Sequence, residues 1–492
     1  MKKKLQKIPF FLLLSPIFII LHIEKEYHQL ISYQFVYIEI LILFLAPLIF
    51  YGICRLLFRS HQKASLYSFF LLIPFYLLGE IKDWLNDNLQ GTLWQNYSFI
   101  IPVIIILAIA VFLLLRRTNT GFEKAFLYIN TALIIFIVSD GVLMLISDIK
   151  KKDVTKSNAR PLAIDCPTCE KPDIYYLIFD SYTSTSVLKE FGYNNSTIES
   201  YLTKKGFYII DSSRSNYNLT PFSLGSSLNM DYIPGVTGAN KQYLKDYLPA
   251  AHQVYTNNFT HFLSGNDYTI FNHSIFDLKS TPTTVKRFDI WQINSLYRQH
   301  NIFKKTFDDI GWTFPSWLRA LFQDQEITYA KQRDVYDSAA LADIFHSIQT
   351  ITTKPKFMYG HLLVPHSPYT FDSSGKKIVP NNLLTPAEDK KAYCQQIQHV
   401  NNVMTQIIDR LFAYQKRPFA VIIQGDHGYR FFDEKEYSKE FRNFSAFYFS
   451  NQDYRYLNDS LTNVNTFRVL LNTYFKQELP ALKDRFYFLK YE

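Results

Sequence analysis

The chain of 492 residues is long enough for two or three ordinary domains and too long for one small domain. Its net charge of +9 is spread along the sequence, with many Lys and Arg at the ends of apolar runs, so positions flanking a membrane explain it better than a nucleic-acid-binding surface. Four cysteines are too few for a disulfide scaffold. Nearly all long apolar runs precede residue 150, which divides the chain into two unlike halves.

The first half contains five apolar stretches, each close to the ~20 residues with which an α-helix crosses the bilayer core. They cover residues 8–22, 36–58, 65–81, 98–115 and 124–147, and the first and third are the shortest. The first could instead be a signal peptide, but no small-x-small cleavage site follows it, which favours a retained helix. We therefore predict an all-α membrane domain of about five transmembrane helices over residues 1–149.

The charges of the connecting loops predict the orientation of these helices. Basic residues cluster before the first stretch, between the second and third, and between the fourth and fifth, which makes those three loops cytoplasmic. Five crossings then place everything after about residue 148 outside the cytoplasm, although Lys150, Lys151 and Lys152 are basic on that outer flank. The sequence predicts a multi-pass protein of the plasma (inner) membrane with a periplasmic or extracellular second half.

The cysteines are interpreted by position. Cys166 and Cys169 form one CxxC in a predicted linker over 150–171, where a local disulfide is favoured over redox catalysis or a zinc knuckle. Cys54 ends an apolar helix and Cys394 lies in a helical stretch, so we expect both to be free.

From residue 172 onward, short apolar runs rich in aromatic and β-branched residues alternate with helical stretches, which predicts an α/β domain with a largely parallel central sheet over 172–480 and a tail over 481–492. The predicted strands are 174–180, 207–210, 357–363 and 419–426, and the crossover helices are 184–204 and 387–413. The aromatic segment 312–322 fits either a membrane-surface helix or an ordinary core element.

Acidic and imidazole side chains follow two of these strands. Asp180 ends an apolar run, where it is either a turn residue or a metal ligand. Asp426 and His427 end another and offer a carboxylate and an imidazole to a divalent ion, while Gly425 and Gly428 let the backbone bend around them. Because open α/β sheets place their ligands at the carboxyl ends of parallel strands, these residues indicate a metal site.

Thr220 precedes Pro221 in NYNLTPFSL, a pattern typical of a helix N-cap followed by proline at the first helical position. A helix N-terminus also favours anionic groups, so the same position suits a hydroxyl nucleophile. His361 and His366 lie in GHLLVPHSPY. The prolines on both sides of His366 favour a role for it in contacting a phosphate or protonating a leaving group, and His361 is a further candidate for substrate binding.

Taken in chain order, PDIYYLIFDSY, SNYNLTPFSLGSSLN, HLLVPHSPY and VIIQGDHG resemble the alkaline phosphatase superfamily, specifically its membrane-anchored sulfatase-like branch of lipoteichoic acid synthases and phosphoethanolamine transferases. With NVNTFR at 463–468, the likeness spans about residues 172–475. It implies one divalent cation, zinc or manganese, held by the following residues: Asp180, Thr220, Asp426 and His427. It also implies that Thr220 forms a covalent phospho-threonine and that His366 contacts the transferred group.

The function implied is transfer of a phosphoethanolamine- or phosphoglycerol-like group from a membrane lipid to a surface glycan or lipid. LTPFSL lacks the Cys and Arg of the sulfatase motif C/S-x-P-x-R, which disfavours sulfate-ester hydrolysis. No histidine follows His427, which disfavours a second metal, and Asp180 stands where those transferases usually have Glu. A phosphodiesterase and an inactive membrane scaffold are the alternatives.

Overall fold

The computed structural model of the protein describes residues 2–27, 33–89, 91–119, 121–154, 169–236, 247–279, 281–285, 302, 305–306, 310, 313–315, 324–380, 384–432 and 434–489. Two compact units emerge from its contacts. The membrane unit is Met1–Ser157 with Asp289–Asp324, and the α/β unit is Asn158–Phe288 with Gln325–Glu492.

The membrane unit is helical. Its helices are α1 (Lys2–Lys7), α2 (Phe11–Tyr27), α3 (Tyr33–Leu57), α4 (His61–Asn88), α5 (Tyr97–Arg117) and α6 (Glu123–Val154), with a short 3-10 helix at Leu93–Gln95. Within the described residues, four of them are long and apolar enough to cross a membrane, namely α3, α4, α5 and α6. The 17 residues of α2 rise about 25 Å, less than the ~30 Å hydrocarbon core. Five crossings therefore stay a prediction.

Residues outside the first 157 also belong to the membrane unit. Lys305 donates to Asp83 at 2.5 Å, and Ile302 and Ile310 pack against an apolar cluster that contains Leu78. The domain boundaries predicted from the sequence are contiguous and do not include this grouping; they stay a prediction. The aromatic segment 312–322 lies outside the described residues except for 313–315.

A cluster of ionisable side chains joins two helices of the membrane unit. Lys25 on α2 donates to Asp140 Oδ1 on α6 at 3.0 Å, and His22 Nδ1 lies 3.0 Å from Asp140 Oδ2. Both oxygens of the buried Asp140 carboxylate therefore have partners. We call His22, Lys25 and Asp140 the membrane-unit cluster.

The α/β unit contains a six-stranded sheet in the order β2-β6-β5-β1-β4-β3. The strands are β1 (Asp173–Phe179), β2 (Tyr208–Ile209), β3 (Thr269–His273), β4 (Lys356–Leu362), β5 (Phe419–Gln424) and β6 (Ser445–Phe449). β5, β1, β4 and β3 run parallel, while β6 is antiparallel to β5 and to β2. Every residue of β1, β4 and β5 is buried, as expected for strands covered on both faces. The predicted fold, a helical membrane domain followed by an α/β domain with a largely parallel sheet, is confirmed.

Helices and short 3-10 turns connect the strands. The helices are α7 (Thr185–Glu190), α8 (Ser196–Lys204), α9 (Thr220–Asn229), α10 (Tyr247–Tyr255), α11 (Asn258–Gly265), α12 (Asp324–Gln349), α13 (Pro386–Tyr414) and α14 (Thr466–Phe475), and the 3-10 helices are Glu434–Phe441 and Asn463–Asn465. The predicted helix over 184–204 is two helices, because Gly192 between them has a φ of 81°, which no helix accommodates. The helix predicted over 387–413 is α13, which begins with a capping box of Thr385 and Glu388.

The described cysteines differ in their bonding state. Cys54 and Cys394 are free and buried, as predicted. Cys169 is disulfide-bonded, whereas Cys166 lies outside the described residues, so the predicted pairing of these two stays a prediction.

Candidate metal centre

Two neighbouring parallel strands deliver the acidic residues to one edge of the sheet. Asp180 directly follows β1, and Asp426 and His427 follow β5 after a single glycine. Because β1 and β5 pair in parallel, with Ile178 opposite Gln424, their carboxyl ends meet. The register of the sheet thus places the two carboxylates beside each other.

Gly425 and Gly428 permit the close backbone path around Asp426 and His427. A Cβ at Gly425 would collide with the carbonyl oxygen of Tyr182, and one at Gly428 would collide with that of Arg442. Neither collision involves a flexible side chain, so both positions require glycine. The bend predicted from these glycines is therefore a steric necessity of the packed loops.

Asp180, Asp426 and His427 form a compact, buried group. Their ligand atoms all lie within 4.8 Å of one another. His427 Nε2 lies 3.4 Å from Asp426 Oδ2 and 3.7 Å from Asp180 Oδ1. Burial, and secondly the Asp426 carboxylate, raise the pKa of Asp180 well above its usual range.

The unpaired atoms of this group point to a cation. Asp426 Oδ1 accepts from the backbone N–H of Ser181 at 2.9 Å, but Asp426 Oδ2 and Asp180 Oδ1 have no hydrogen-bond partner among the described residues. His427 Nδ1 lies 2.8 Å from the Gly428 carbonyl oxygen and donates to it, which leaves the Nε2 lone pair facing the carboxylates. Two carboxylate oxygens and one imidazole nitrogen are therefore available to one divalent cation, and the residues fit such an ion.

Thr220 lies at the same place. It is the first residue of α9, it is half-buried, and its Oγ1 lies 3.4 Å from His427 Nε2 and also interacts with the Asp180 carboxylate. The predicted N-cap role is wrong, because Leu219 occupies the N-cap and the Thr220 hydroxyl instead interacts with His427 and Asp180. The hydroxyl is directed into the group of ligands, and Pro221 follows in the first turn.

Two side chains support Asp426 through its backbone. Ser223 Oγ donates to the Asp426 carbonyl oxygen at 2.5 Å, and Asn463 Nδ2 donates to it at 3.3 Å. Ser223 belongs to α9 and Asn463 to the NVNTFR motif, so two elements remote in sequence fix the loop that carries Asp426 and His427.

His361 lies on β4 beside the ligand group. It pairs with Ile178 of β1 in the sheet, is fully buried, and its Nε2 is 3.5 Å from Asp180 Oδ2. Neither ring nitrogen has a hydrogen-bond partner among the described residues. Burial lowers the pKa of His361 to about 4, so the ring is neutral at physiological pH.

His366 lies farther along the same segment. No hydrogen bond or ion pair between described residues joins it to Asp180, Asp426 or His427. Its Nδ1 lies 2.6 Å from the Ser367 carbonyl oxygen, and the Arg430 guanidinium contacts its Nε2. Burial, and secondly Arg430, lower the pKa of His366 well below its usual range.

Two arginines near the site were not singled out in the sequence. Arg430 follows His427 by three residues, a proximity that could have identified it. Arg333 on α12 had no such signal: it is fully buried and donates to the His366 carbonyl oxygen at 2.7 Å and to Thr370 Oγ1 at 2.8 Å. Only the folded chain brings Arg333 to this loop.

Solved structures similar to this chain include phosphoethanolamine transferases. The C-terminal periplasmic domain of EptC from Escherichia coli is 13% identical over 66% of this chain and 91% of its own, with a TM-score of 0.39. The lipooligosaccharide phosphoethanolamine transferase EptA from Neisseria meningitidis is 14% identical over 97% of this chain and 98% of its own, also with a TM-score of 0.39. No curated protein matches the sequence significantly. The TM-scores lie below 0.5, so the assignment rests on a family model.

That model, described as Sulfatase, matches residues 175–469. The matched region begins in β1 and ends in α14, and it contains every residue of the ligand group together with Thr220, His361 and His366. Because the match covers more than half of the 492 residues, the chain belongs to the Sulfatase family of the alkaline phosphatase superfamily, and its α/β unit is an enzyme domain of that kind.

Proposed function

We propose that this chain is a metal-dependent phospho-headgroup transferase with Thr220 as its nucleophile. It moves a phosphoethanolamine- or phosphoglycerol-like group from a membrane lipid to a surface glycan or lipid. The observation that carries the proposal is the Thr220 hydroxyl, 3.4 Å from His427 Nε2 at the first residue of α9. A hydroxyl in that position adjoins both the ligand group and the positive end of a helix dipole.

One divalent ion, zinc or manganese, would be held by Asp180, Asp426 and His427 with the Thr220 oxygen as a fourth ligand. When bound, it supplies Lewis-acid polarisation and lowers the pKa of the hydroxyl. The support for this site is the pair of buried carboxylate oxygens that have no hydrogen-bond partner among the described residues. Without a cation, two buried carboxylates this close are costly to the folded state.

The reaction divides into two displacements at phosphorus. Thr220 Oγ gives its proton to solvent and forms a bond to phosphorus while the bond from phosphorus to the lipid oxygen breaks, and that oxygen takes a proton from solvent as it leaves. An acceptor hydroxyl then displaces Thr220 Oγ in the same manner. His366 is proposed to contact the transferred group, and the neutral His361 to line the substrate side of Asp180.

We also propose that the α/β unit lies outside the cytoplasm in a multi-pass protein of the plasma (inner) membrane. The basic loops and the membrane-crossing helices support this orientation, which keeps the site on the side of a surface acceptor. Protease treatment of intact spheroplasts should cleave the α/β unit. Cleavage only in inverted vesicles would show that the α/β unit lies in the cytoplasm and would contradict the proposed orientation.

The test of the nucleophile is mass spectrometry of the Thr220 peptide. Purified full-length protein is incubated with vesicles of phosphatidylethanolamine or phosphatidylglycerol, and the mass added to the peptide identifies the transferred group. Thr220→Ala should abolish the adduct and reduce transfer by at least about a thousand-fold. Thr385→Ala, a helix-cap change away from the site, is the control and should keep both. Full transfer by Thr220→Ala would end the proposal.

A hydrolase is the second candidate, since the family model is that of sulfatases. With water as acceptor the same residues would give a phosphodiesterase, whereas sulfate-ester hydrolysis is disfavoured because LTPFSL lacks the formylglycine motif. Product analysis with and without a glycan acceptor separates the two: free headgroup phosphate released equally in both cases identifies a hydrolase. A chain that binds no stoichiometric metal and forms no adduct would instead be a scaffold.

A further inference from the structure

Arg430 differs from the other arginine at the site in how its charge is balanced. Arg333 is fully buried, and its guanidinium lies 3.5 Å from Asp334 and 3.9 Å from Asp337 besides donating to a carbonyl and a hydroxyl oxygen. Arg430 is half-buried, and none of the described carboxylates forms an ion pair with it. Its side-chain partner is the neutral ring of His366.

Arg430 lies in the loop that carries two of the proposed metal ligands. The residue follows His427 by three positions in the loop after β5, and its guanidinium contacts Nε2 of His366, whose backbone carbonyl accepts from Arg333. An imidazole nitrogen is a weaker acceptor for a guanidinium than an anionic oxygen, and the planar fork of arginine fits two oxygens of a tetrahedral anion. The contact with His366 is therefore one that an incoming oxyanion can replace.

We propose that Arg430 binds the non-bridging oxygens of the phosphoryl group at this site, exchanging its contact with His366 Nε2 for charge-assisted hydrogen bonds to the anion. The inference rests on the proposed function, because it places the anion between Thr220 and Arg430. Arg333 holds the His366 backbone and stays in place during the exchange. Arg430 thus makes the site selective for an oxyanion and leaves His366 Nε2 exposed to the bound group.

The test measures affinity for inorganic phosphate by isothermal titration calorimetry on the full-length, zinc-loaded protein in detergent. Arg430→Gln should weaken phosphate binding by roughly 10- to 100-fold at unchanged zinc content. Arg430→Lys keeps the charge without the fork and should weaken it by roughly 3- to 10-fold. Arg455→Gln, at an exposed arginine paired with Asp453, should bind phosphate like the wild type.

Unchanged phosphate affinity in Arg430→Gln, with zinc still bound, would overturn the inference. A variant that loses zinc or stability but keeps its phosphate affinity per bound zinc would show a merely structural residue and would overturn it too. If Arg430→Gln fails to fold, the decision passes to Arg430→Lys, where wild-type affinity contradicts the role.

The Thr220 adduct separates this inference from the proposed function. Phosphate binding that depends on Arg430 without any adduct in the wild type would keep the oxyanion site and remove the threonine mechanism. A normal adduct together with phosphate binding that does not depend on Arg430 would keep the threonine mechanism and remove the proposed role of Arg430.

Discussion

Two groups of ionisable side chains in the described part of the protein differ in their pairing. In the membrane-unit cluster both oxygens of Asp140 have partners on α2. In the α/β unit, Asp180 Oδ1 and Asp426 Oδ2 face His427 with no hydrogen-bond donor among the described residues. The paired carboxylate links two helices, whereas the two carboxylate oxygens without a donor favour the binding of a cation.

This difference in pairing indicates a structural role for the first group and a ligand-binding role for the second. Buried charges without partners cost several kcal/mol each, so a fold retains them where a ligand or a reaction compensates. The membrane-unit cluster satisfies itself and needs no ligand. The group at the ends of β1 and β5 has carboxylate oxygens without partners among the described residues. Removing a carboxylate should therefore lower the stability of the protein in the first group and raise the stability of the metal-free protein in the second.

Asp426→Asn gives the largest expected effect. It removes one ligand charge but keeps an oxygen for the Ser181 N–H, so metal affinity should fall by roughly a hundred-fold or more. Because two like charges no longer share a buried site, the metal-free variant should be about 1 kcal/mol more stable than the metal-free wild type. Elemental analysis after dialysis and thermal unfolding in EDTA measure the two effects.

Asp140→Asn is the matched control for that experiment, since it makes the same change in the membrane-unit cluster. It should keep the metal and lose stability. A metal-free Asp426→Asn protein that is much less stable than the metal-free wild type would mean that Asp426 is a structural residue, and the contrast between the two groups would disappear.

Asp337 is a buried carboxyl with pairing between these two extremes, since one oxygen accepts a hydrogen bond and the other has no hydrogen-bond partner among the described residues. Burial raises its pKa to about 7, although Leu363 N–H donates to it at 2.6 Å and Arg333 lies 3.9 Å away. Since the folded state binds this proton more tightly than the unfolded chain, whose pKa is about 4, the free energy of unfolding should fall as pH rises from about 4 to about 7. Asp337→Asn should remove this decrease in the free energy of unfolding, which amounts to about 3 kcal/mol over that range.

Apparent melting temperatures at pH 4.5 and 7.5 measure this effect. Asp334→Asn removes a carboxylate from the same surroundings of Arg333 and controls for net charge. If both variants flatten the pH dependence equally, the buried carboxyl of Asp337 is not its source.

The elements that the sequence predicted well are those with a strong local signal. β1, β4 and β5 are long, wholly buried runs, and their register alone brings Asp180 to Asp426. Two strands were missed: β3 and β6 have five residues each, β3 lies at the sheet edge, and β6 is antiparallel. Length alone does not explain this, because the two-residue β2 lies within the predicted strand 207–210. β3 contains Asn272 and His273, so it lacks the continuous apolar run by which β1, β4 and β5 were recognised.

The site shows the same division. Asp180, Asp426 and His427 each follow a recognisable strand, and Thr220 is the first residue of a recognisable helix. The contacts of Arg333 and Arg430 with His366 depend on how α12 and the loop after β5 pack, which no local pattern encodes. The N-cap prediction for Thr220 was wrong because propensity describes an isolated helix end, and here the hydroxyl has partners across the sheet.

The smallest expected effect is the coupling between Lys25 and Asp140. Because the Lys25 ammonium lies 3.0 Å from the Asp140 carboxylate, a double-mutant cycle with Lys25→Met and Asp140→Asn should give about 1 kcal/mol of interaction free energy. Thermal unfolding of the four proteins in detergent measures it, and all four should bind metal equally. Zero coupling would show that the membrane-unit cluster is not a structural tether, and a loss of metal on changing Asp140 would link it to the site and contradict the opposition between the two groups.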